Sequence, residues 1–369
     1  MRFMARERET AEQFVPGLDA KLREVPLEVL ESKDSPGLSI FREFGGPGLL
    51  VGKASGGLGA SLLEAAHIHR VLGSRSPSLA IAVNMHSCTV AAIPPGPGTE
   101  AMLGMVAAGG LYLASAFAEG IPGAGVIAPT LRGERIPGGW KLNGSKKPCS
   151  LSRSMDILTA SVLLRPDGAD EAELALAVIP ATSPGIEVRP LGTGLVFPGS
   201  ETEEVVLTDV EITDDSVSFF GKTDSLNAAL TAGWLTFELL VSACYLGMAS
   251  GLVERVSEQG RGTAADRMLL VGELETAMAA IEAVATEIME GSGEPSTVAR
   301  ALHVRFAVQR AVERTSALAT ELLGGVAFMV GSSALLYTAC RALAFHPPSR
   351  TGIAGPLDRF VAGEPLIVT

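Results

Sequence analysis

The stretch Gly138–Lys147, with the sequence GGWKLNGSKK, decides how the rest of the chain is interpreted. Gly-Gly and Asn-Gly pairs are typical of tight turns between β-strands, and an Asn-Gly pair favours a type I′ turn. Short runs of β-forming residues share this part of the chain, separated by Pro, Gly and Asp clusters; they are Ile157–Leu164, Leu174–Ile179 and Val205–Leu207. The middle of the chain, 111–222, is therefore predicted to be a small β-domain.

Outward from this stretch, the sequence pattern is helical on both sides. From Leu22 to Ala108 the chain is rich in Ala and Leu and is interrupted by Gly and Pro turns, and long helical patterns return after Lys222. We predict an α+β, mainly α architecture. An N-terminal α-helical domain spans 1–110, the central β-domain spans 111–222, and an antiparallel helical bundle resembling a four-helix bundle spans 223–369.

The C-terminal part carries the clearest helical periodicity. Apolar residues recur at steps of three and four at Leu270, Leu274, Met278, Ile281, Ala285 and Ile288. Thr263 and Asp266 have the spacing of a capping box at the start of this helix. Further helices are predicted over 296–323 and 332–344, with a break at Gly324-Gly325.

Composition excludes several classes of protein. Of the 369 residues 47% are hydrophobic and 19% are charged, which argues against a disordered chain. The formal charge of −12 argues against a general nucleic-acid binder. No apolar run reaches the roughly 18 residues that a membrane span needs and the opening residues lack an apolar signal core, so we expect a cytoplasmic protein.

The four cysteines suggest neither a disulfide framework nor a metal site. Cys88, Cys149, Cys244 and Cys340 are widely spaced and form no CxxC pair. We expect reduced, mostly buried thiols and no bound metal.

Five segments carry a resemblance to a known family. They are Phe117–Gly125, Gly138–Lys147, Pro148–Ser150, Gly199–Ile212 and Glu321–Gly325. In this order they are similar to the TEPGAGSD stretch, the glycine hairpin with its NGxK element, the Trp-Ile-Thr that faces a flavin, the last strands before the bundle and the QxxGG turn of the acyl-CoA dehydrogenase superfamily. The resemblance covers nearly the whole chain and implies the fold of that superfamily.

The resemblance also implies a flavin, which we expect to be FAD, with FMN not excluded. Gly-rich loops fit such a cofactor because their backbone N–H groups can approach it without obstruction. The adenosine side departs from the family: Arg261 stands in for the arginine of an RxxFG element, and Glu321 replaces the glutamine of QxxGG, where a carboxylate would repel a pyrophosphate. The implied cofactor-binding residues are Phe117, Ala118, Gly123, Gly125, Cys149, Ser150, Arg261, Glu321, Gly324 and Gly325.

The family's catalytic glutamate is missing. Relatives use it to remove the α-proton of an acyl thioester while a hydride leaves to the flavin. No carboxylate lies between Leu343 and Leu357. At the alternative position, on the first helix of the bundle, spacing to Leu246-Gly247 selects Phe237. Glu238 is a candidate base only if the helix register slips by one residue, about 100° of rotation, and otherwise an ion-paired residue.

Two histidines are further catalytic candidates. His346, in the segment Ala344–Pro348, stands where the glutamate would be, and related two-component flavin monooxygenases often carry His-x-Pro there. His86 lies in the helical region that approaches the active site in relatives. His86, Ser150 and His346 could surround the reactive edge, or His346 could cap a helix end and His86 lie in the core. As a base, His346 with its ordinary pKa near 6.5 would predict a rate that climbs as the ring loses its proton.

Three functions remain open at this point. The first is dehydrogenation of a specialised acyl thioester on coenzyme A or a carrier protein. The second is a monooxygenase reaction of the same fold, in which flavin C4a carries the oxygen and no glutamate is needed. The third is a non-catalytic relative that acts in an assembly.

We expect a homodimer or homotetramer. The bundle helices carry more apolar surface than one chain can hide, and relatives bind flavin at subunit boundaries. Besides a second copy, the expected partner is a small molecule or an acyl thioester, with neither nucleic acid nor membrane involved.

Overall fold

The computed structural model describes residues 2–93, 96–121, 129–192, 194–221, 228–291 and 293–366. Within this part of the chain the predicted architecture is confirmed: the protein is mainly helical, with one central sheet between an N-terminal and a C-terminal helical region. The candidate site lies where the three parts meet.

The N-terminal region is built from helices joined by Gly- and Pro-containing turns. Leu62–Arg75 begins with a capping box formed by Ser61 and Glu64, and Pro77–Ala92 follows almost immediately. The helices of this region are α1 (Ala5–Phe14), α2 (Leu18–Glu24), α3 (Leu27–Leu30), α4 (Gly37–Glu43), α5 (Leu62–Arg75), α6 (Pro77–Ala92) and α7 (Pro97–Gly109).

The sheet contains eight strands among the described residues. They are β1 (Leu113–Ala116), β2 (Arg132–Ile136), β3 (Gly139–Cys149), β4 (Ile157–Leu164), β5 (Glu173–Pro180), β6 (Ile186–Arg189), β7 (Glu203–Thr213) and β8 (Val217–Gly221). Their order is β6-β7-β3-β2-β4-β5-β8, and β1 pairs in parallel with β4. The predicted strand Ile157–Leu164 is reproduced to the residue, whereas Val205–Leu207 lies in the first half of a longer strand.

The stretch Gly138–Lys147 contains one turn, not two. Ile136 pairs with Gly139, so the β2–β3 hairpin turns at Pro137 and Gly138, and Gly138 has a φ of 76°. Asn143-Gly144 lies inside β3 at a register shift against β7, where the Asn143 side chain accepts from the backbone N–H of Asp209 at 2.8 Å. An Asn-Gly pair within a strand thus forms a bulge, and the type I′ turn does not occur there.

The C-terminal region is a set of long helices. They are α8 (Ala228–Glu258), α9 (Ala264–Met289), α10 (Pro295–Leu323), α11 (Gly325–Val330), α12 (Ser333–Arg341) and α13 (Arg350–Val361). The Thr263–Asp266 capping box is present in both directions. Of the predicted apolar stripe on α9, the residues from Leu270 to Ala285 are buried and Ile288 is partly buried.

Helix α8 forms the centre of the molecule. It is the one described helix that is long and apolar enough to cross a membrane, and its most apolar window is entirely buried inside the protein, as in the core helix of a globular fold. It crosses α5 at two glycines. A Cβ on Gly73 would lie 2.1 Å from the carbonyl oxygen of Cys244, and a Cβ on Gly247 would lie 2.1 Å from that of Arg70. Only glycine allows this close approach.

All four cysteines are buried free thiols, as predicted. Cys88 lies on α6, Cys149 at the end of β3, Cys244 on α8 and Cys340 on α12.

Candidate functional site

A cavity of about 360 Å³ lies between α6, α8, the sheet and the turn that follows α12. Its volume is at the small end of the range of about 300–1,000 Å³ that is usual for ligand sites. The described lining residues are Ile81, Met85, Cys88, Thr89, Ala92, Ser115, Phe117, Ala118, Pro148, Ser150, Phe197, Thr202, Leu230, Gly233, Trp234, Phe237, Ala342, Phe345, His346 and Pro347.

One half of the cavity is apolar and comes from two helices. Ile81, Met85 and Cys88 recur at steps of three and four along α6, so they share one face of it. Trp234 and Phe237 have the same spacing on α8. Thr89 donates its hydroxyl to the carbonyl oxygen of Met85 at 2.9 Å, which satisfies its polar atom within the helix. This half suits a hydrocarbon group.

The other half comes from the β-domain and carries hydroxyl groups. The Ser150 hydroxyl lies 2.8 Å from that of Thr202, which lies 2.7 Å from the hydroxyl of Ser200. Ser200 in turn donates to the carbonyl oxygen of Phe197 at 2.7 Å. These residues form a hydroxyl chain that begins at the cavity and ends at a backbone carbonyl.

The protons of this hydroxyl chain can be counted. Two oxygens at 2.7–2.8 Å need a proton between them. The three contacts require three protons, the three hydroxyls supply one each, and the Phe197 carbonyl supplies none. Ser200 therefore donates to Phe197, Thr202 to Ser200, and Ser150 to Thr202. The Ser150 oxygen is left with lone pairs toward the cavity and acts there as an acceptor.

Phe117 and Ala118 are held at the cavity by a buried ion pair. Lys146, which is completely buried, donates to Glu119 at 2.7 Å and to the Ser161 hydroxyl at 3.1 Å. Burial raises the pKa of Glu119, but hydrogen bonds from Lys146 and Thr130 outweigh it and lower that pKa to about 2. Both residues lie in segments that resemble the family, yet their pairing was not predicted.

His346 lines the cavity from the turn after α12. Its Nε2 lies 2.8 Å from the hydroxyl oxygen of Tyr245, and its ring meets the Tyr245 and Phe237 rings edge-on at centroid distances of 5.5 and 5.9 Å. Desolvation, assisted by the charge of Arg305, lowers the pKa of His346 to about 4. The ring is therefore neutral at pH 7, and the expectation of a titration near 6.5 is corrected.

Glu238 lies behind the histidine and not in the described cavity lining. The helix register does not slip: Phe237 faces the cavity, and the fully buried Glu238 carboxylate lies 3.1 Å from Nε of Arg305. Burial raises the pKa of Glu238 against the pull of Arg305. This is the ion-paired alternative of the sequence analysis.

His86 is a core residue and does not line the cavity among the residues described. Its Nδ1 accepts from the backbone N–H of Leu113 at 3.0 Å and its Nε2 lies 2.8 Å from the carbonyl oxygen of Pro47. Burial lowers the pKa of His86 to about 4, so the ring is neutral with its proton on Nε2. Of the proposed group of three, the structure brings together Ser150 and His346 and leaves His86 outside.

The remaining expected cofactor residues are scattered. Cys149 is buried beside Ser150 without lining the cavity, and Arg261 is exposed in the turn between α8 and α9. Glu321, Gly324 and Gly325 line a second, more open depression of about 440 Å³ together with Tyr337. Gly123 and Gly125 lie outside the described residues.

Three residues at the site were missed from the sequence. Thr202 lies within the matched segment Gly199–Ile212, but no role at the site was predicted for its hydroxyl. Tyr245 directly precedes the Leu246-Gly247 pair used to set the register of α8. Arg305, 1% exposed, was detectable as a lone arginine within the apolar face of α10.

The chain is 43% identical to isobutylamine N-hydroxylase of Streptomyces viridifaciens over 378 residues, which cover 99% of this chain and 100% of that protein. No family model matches the sequence.

Solved structures of low sequence identity to this chain have the same fold. FMN-bound TdsC from Paenibacillus sp. A11-2 has a TM-score of 0.82 at 18% identity, over 100% of this chain and 99% of that one. Nitrososynthase from Micromonospora carbonacea var. africana has a TM-score of 0.80 at 22% identity, over 97% of each chain.

Proposed function

Because the chain belongs to the acyl-CoA dehydrogenase superfamily, we propose that it is a flavin-dependent monooxygenase that hydroxylates the nitrogen of a small primary alkylamine. The observation that carries the proposal is one cavity that combines an apolar helical half, a hydroxyl-bearing half and a neutral histidine. The 43% identity to an isobutylamine N-hydroxylase supports this choice of reaction.

The residues of the β-domain half fit a flavin ring. Phe117, Ala118 and Pro148 give the cavity an apolar wall there, and the acceptor oxygen of Ser150 matches the N–H that a reduced flavin carries at N5. We propose that these residues and Thr202 hold the ring of FAD or FMN. When bound in its reduced form, the flavin supplies the two electrons that activate dioxygen.

The helical half fits the alkyl group of the amine. Met85, Cys88, Trp234 and Phe237 offer apolar or weakly polar surface to a short branched chain. Transfer of an ammonium ion into such surroundings is costly, so the cavity favours the neutral amine, whose nitrogen lone pair is free to react. The described lining contains no carboxylate that would hold the cation.

His346 lines the cavity from the turn after α12 as a neutral hydrogen-bonding group. The overall reaction consumes the amine, dioxygen, two electrons and two protons, and releases a hydroxylamine and water. A neutral imidazole next to the reacting atoms can form a hydrogen bond to the oxygen without placing a charge in this largely apolar cavity.

Dehydrogenation of an acyl thioester has less support. That reaction needs a base at the substrate α-carbon, and the described cavity lining offers only the imidazole of His346, whose pKa of about 4 makes it a weak base. The absence of a carboxylate there and the ion pairing of Glu238 both favour the oxygen-using reaction.

The test is product formation with a defined set of reactants. The purified protein is mixed with isobutylamine, FMN or FAD, a separate NADH-dependent flavin reductase and air, and the products are analysed by mass spectrometry. We expect the hydroxylamine, which is one oxygen atom heavier than the amine, and we expect it to contain ¹⁸O when ¹⁸O₂ is supplied. Isobutanol, which has no nitrogen, serves as the control. Bleaching of bound oxidised flavin by an acyl thioester under anaerobic conditions, with no hydroxylamine in air, would overturn the proposal.

A further inference from the structure

Tyr245 and Arg305 contact His346 from outside the cavity. Tyr245 is fully buried on α8, and Arg305 is 1% exposed on α10. Neither belongs to the described cavity lining. Both touch the histidine directly, one at the ring and the other at the backbone.

The direction of the Tyr245 hydrogen bond follows from burial. Among the described residues the hydroxyl has one hydrogen-bond partner, Nε2 of His346 at 2.8 Å. If Nε2 carried the proton, the Tyr245 hydroxyl hydrogen would be buried without an acceptor, which costs about 1–3 kcal/mol. Burial raises the pKa of Tyr245, so the phenol keeps its proton. Tyr245 therefore donates to Nε2.

A neutral imidazole has one N–H, and with Nε2 accepting it must be at Nδ1. No hydrogen bond within the described residues engages Nδ1, and Nδ1 is not among the buried polar atoms that lack a partner. It is thus the ring nitrogen that reaches accessible space, and His346 lines the cavity.

Arg305 fixes the backbone that carries this ring. Its Nη2 donates to the carbonyl oxygens of Leu343 and His346 at 3.0 and 2.8 Å. These two carbonyls belong to the turn that ends α12, so one guanidinium nitrogen joins the beginning and the end of the turn. Glu238 lies 3.1 Å from Nε of Arg305, on the same face of α8 as Tyr245, since seven residues complete about two turns.

We propose that Tyr245 and Arg305 are positioning residues that make His346 a hydrogen-bond donor to the reacting atoms, with Tyr245 directing the ring proton to Nδ1 and Arg305 fixing the turn. This inference rests on the proposed function for the identity of the reaction. The tautomer and the geometry of the turn are properties of the protein alone and are measured without turnover.

The first experiment is ¹⁵N NMR of the full-length protein labelled at histidine, with the His346 signals assigned by their loss in His346→Gln. We expect a protonated Nδ1 and an unprotonated Nε2 in the wild type at pH 7. Tyr245→Phe keeps the ring packing but removes the donor, so the population should shift measurably toward the Nε2–H form. A wild-type ring protonated at Nε2, or an unchanged tautomer in Tyr245→Phe, overturns the role of Tyr245.

The second experiment addresses Arg305. Removing it alone would leave the ionisable Glu238 buried without its partner, so the variant is Arg305→Met with Glu238→Gln, in which both ionisable groups disappear together. We expect a folded protein whose kcat for hydroxylamine falls at least about tenfold with little change in KM, since a positioned proton donor contributes about 10²- to 10⁴-fold. The fraction of reducing equivalents lost as hydrogen peroxide should rise in parallel.

Arg300→Met provides the matched control, because Arg300 is an exposed arginine on the same helix whose guanidinium pairs with Glu287. It should leave kcat and peroxide release unchanged. A double variant that is folded and fully coupled overturns the role of Arg305. If no amine is hydroxylated by the wild type while the tautomer responds to Tyr245→Phe as expected, the proposed function fails and the positioning of His346 stands.

Discussion

The Ser150 hydroxyl acts as a hydrogen-bond acceptor toward the cavity because it donates its own proton to the hydroxyl of Thr202. If Ser150 faces the N5 edge of the flavin, as the family resemblance implies, it favours the reduced ring with its N–H. We predict that Ser150→Ala weakens binding of reduced flavin by about three- to tenfold, which corresponds to one neutral hydrogen bond. Thr202→Val frees the Ser150 proton and should improve binding of oxidised flavin relative to reduced flavin.

Equilibrium ultrafiltration measures both affinities, in air for the oxidised flavin and anaerobically for the reduced one. Ser154→Ala is the control, since that hydroxyl donates to Glu201 and lies outside the described cavity lining. If Thr202→Val leaves the ratio of the two affinities unchanged, the proton order in the hydroxyl chain is wrong or the ring lies elsewhere.

The pH dependence at His346 should be displaced toward acid. Desolvation and the charge of Arg305 lower the pKa of His346 to about 4. Activity that needs the neutral ring is therefore constant across neutral pH and is lost as pH falls through about 4. The free energy of unfolding should change with pH in the same direction. The stability contributed by the neutral ring is complete above about pH 6.5 and declines as the pH falls toward 4.

Two measurements check this prediction: kcat at saturating amine, and the NMR titration of the His346 ring. An inflection near pH 6.5 that disappears in His346→Gln would contradict it.

At the scale of residues, the sequence identified the site only in part. Ser150 and His346 were identified because they match motif positions of the family, and both line the cavity. The core role of His86 depends on Pro47 and Leu113, which lie far from it in sequence, so no local pattern could reveal those hydrogen bonds. The same holds for Tyr245 and His346, which are joined only by the tertiary fold.

At the scale of elements, α5 and α8 cross with their backbones in close contact, and α8 also contributes Trp234 and Phe237 to the cavity. Gly247→Ala would put a Cβ 2.1 Å from a backbone oxygen of α5, so the helices must separate. We predict a loss of about 1–3 kcal/mol in the free energy of unfolding, or more, as for overpacked cores. Chemical denaturation of the flavin-free protein measures it.

Gly272→Ala is the matched control for that substitution. Gly272 lies in the interior of α9, and a Cβ there meets nothing within 4 Å. Removal of a glycine from a helix should stabilise the protein by about 0.5–1 kcal/mol. Equal effects of the two substitutions would show that the crossing is not close-packed.

Helix register was the element-level property that the sequence predicted best. Spacing to Leu246-Gly247 selected Phe237 for the site, and Phe237 lines the cavity while Glu238 points to Arg305. The Asn143-Gly144 pair was ambiguous because local propensity cannot distinguish a turn from a bulge; pairing of β3 with β7 decides between them.

At the scale of the whole molecule, α11 exposes an apolar surface. Val326, Met329 and Val330 are 78%, 84% and 83% exposed, and exposed patches of this kind mark association sites. We predict a homodimer or homotetramer that uses this surface, with light scattering giving a multiple of 38.1 kDa. Met329→Glu should shift the equilibrium toward the single chain.

Met105→Glu is the control, since Met105 is an isolated exposed methionine on α7, with 57% of its surface accessible. A single-chain mass in the wild type, or equal effects of both substitutions, would contradict the prediction.

The order of helices, sheet and bundle was predictable because hydrophobic periodicity changes from helical to alternating and back along the chain. The sheet order β6-β7-β3-β2-β4-β5-β8 was not, since it joins strands that are distant in sequence and similar in local composition.

Cys88 can report chemically whether the cavity is occupied. It lies in the described cavity lining, whereas Cys149, Cys244 and Cys340 are buried elsewhere. Burial raises the pKa of Cys88 to about 12, so the thiol reacts slowly with alkylating agents. Whatever occupies the cavity also covers this sulfur. The rate of alkylation at Cys88, followed by peptide mapping, therefore measures how much of the protein has its cavity filled, even by a molecule that is colourless and unreactive.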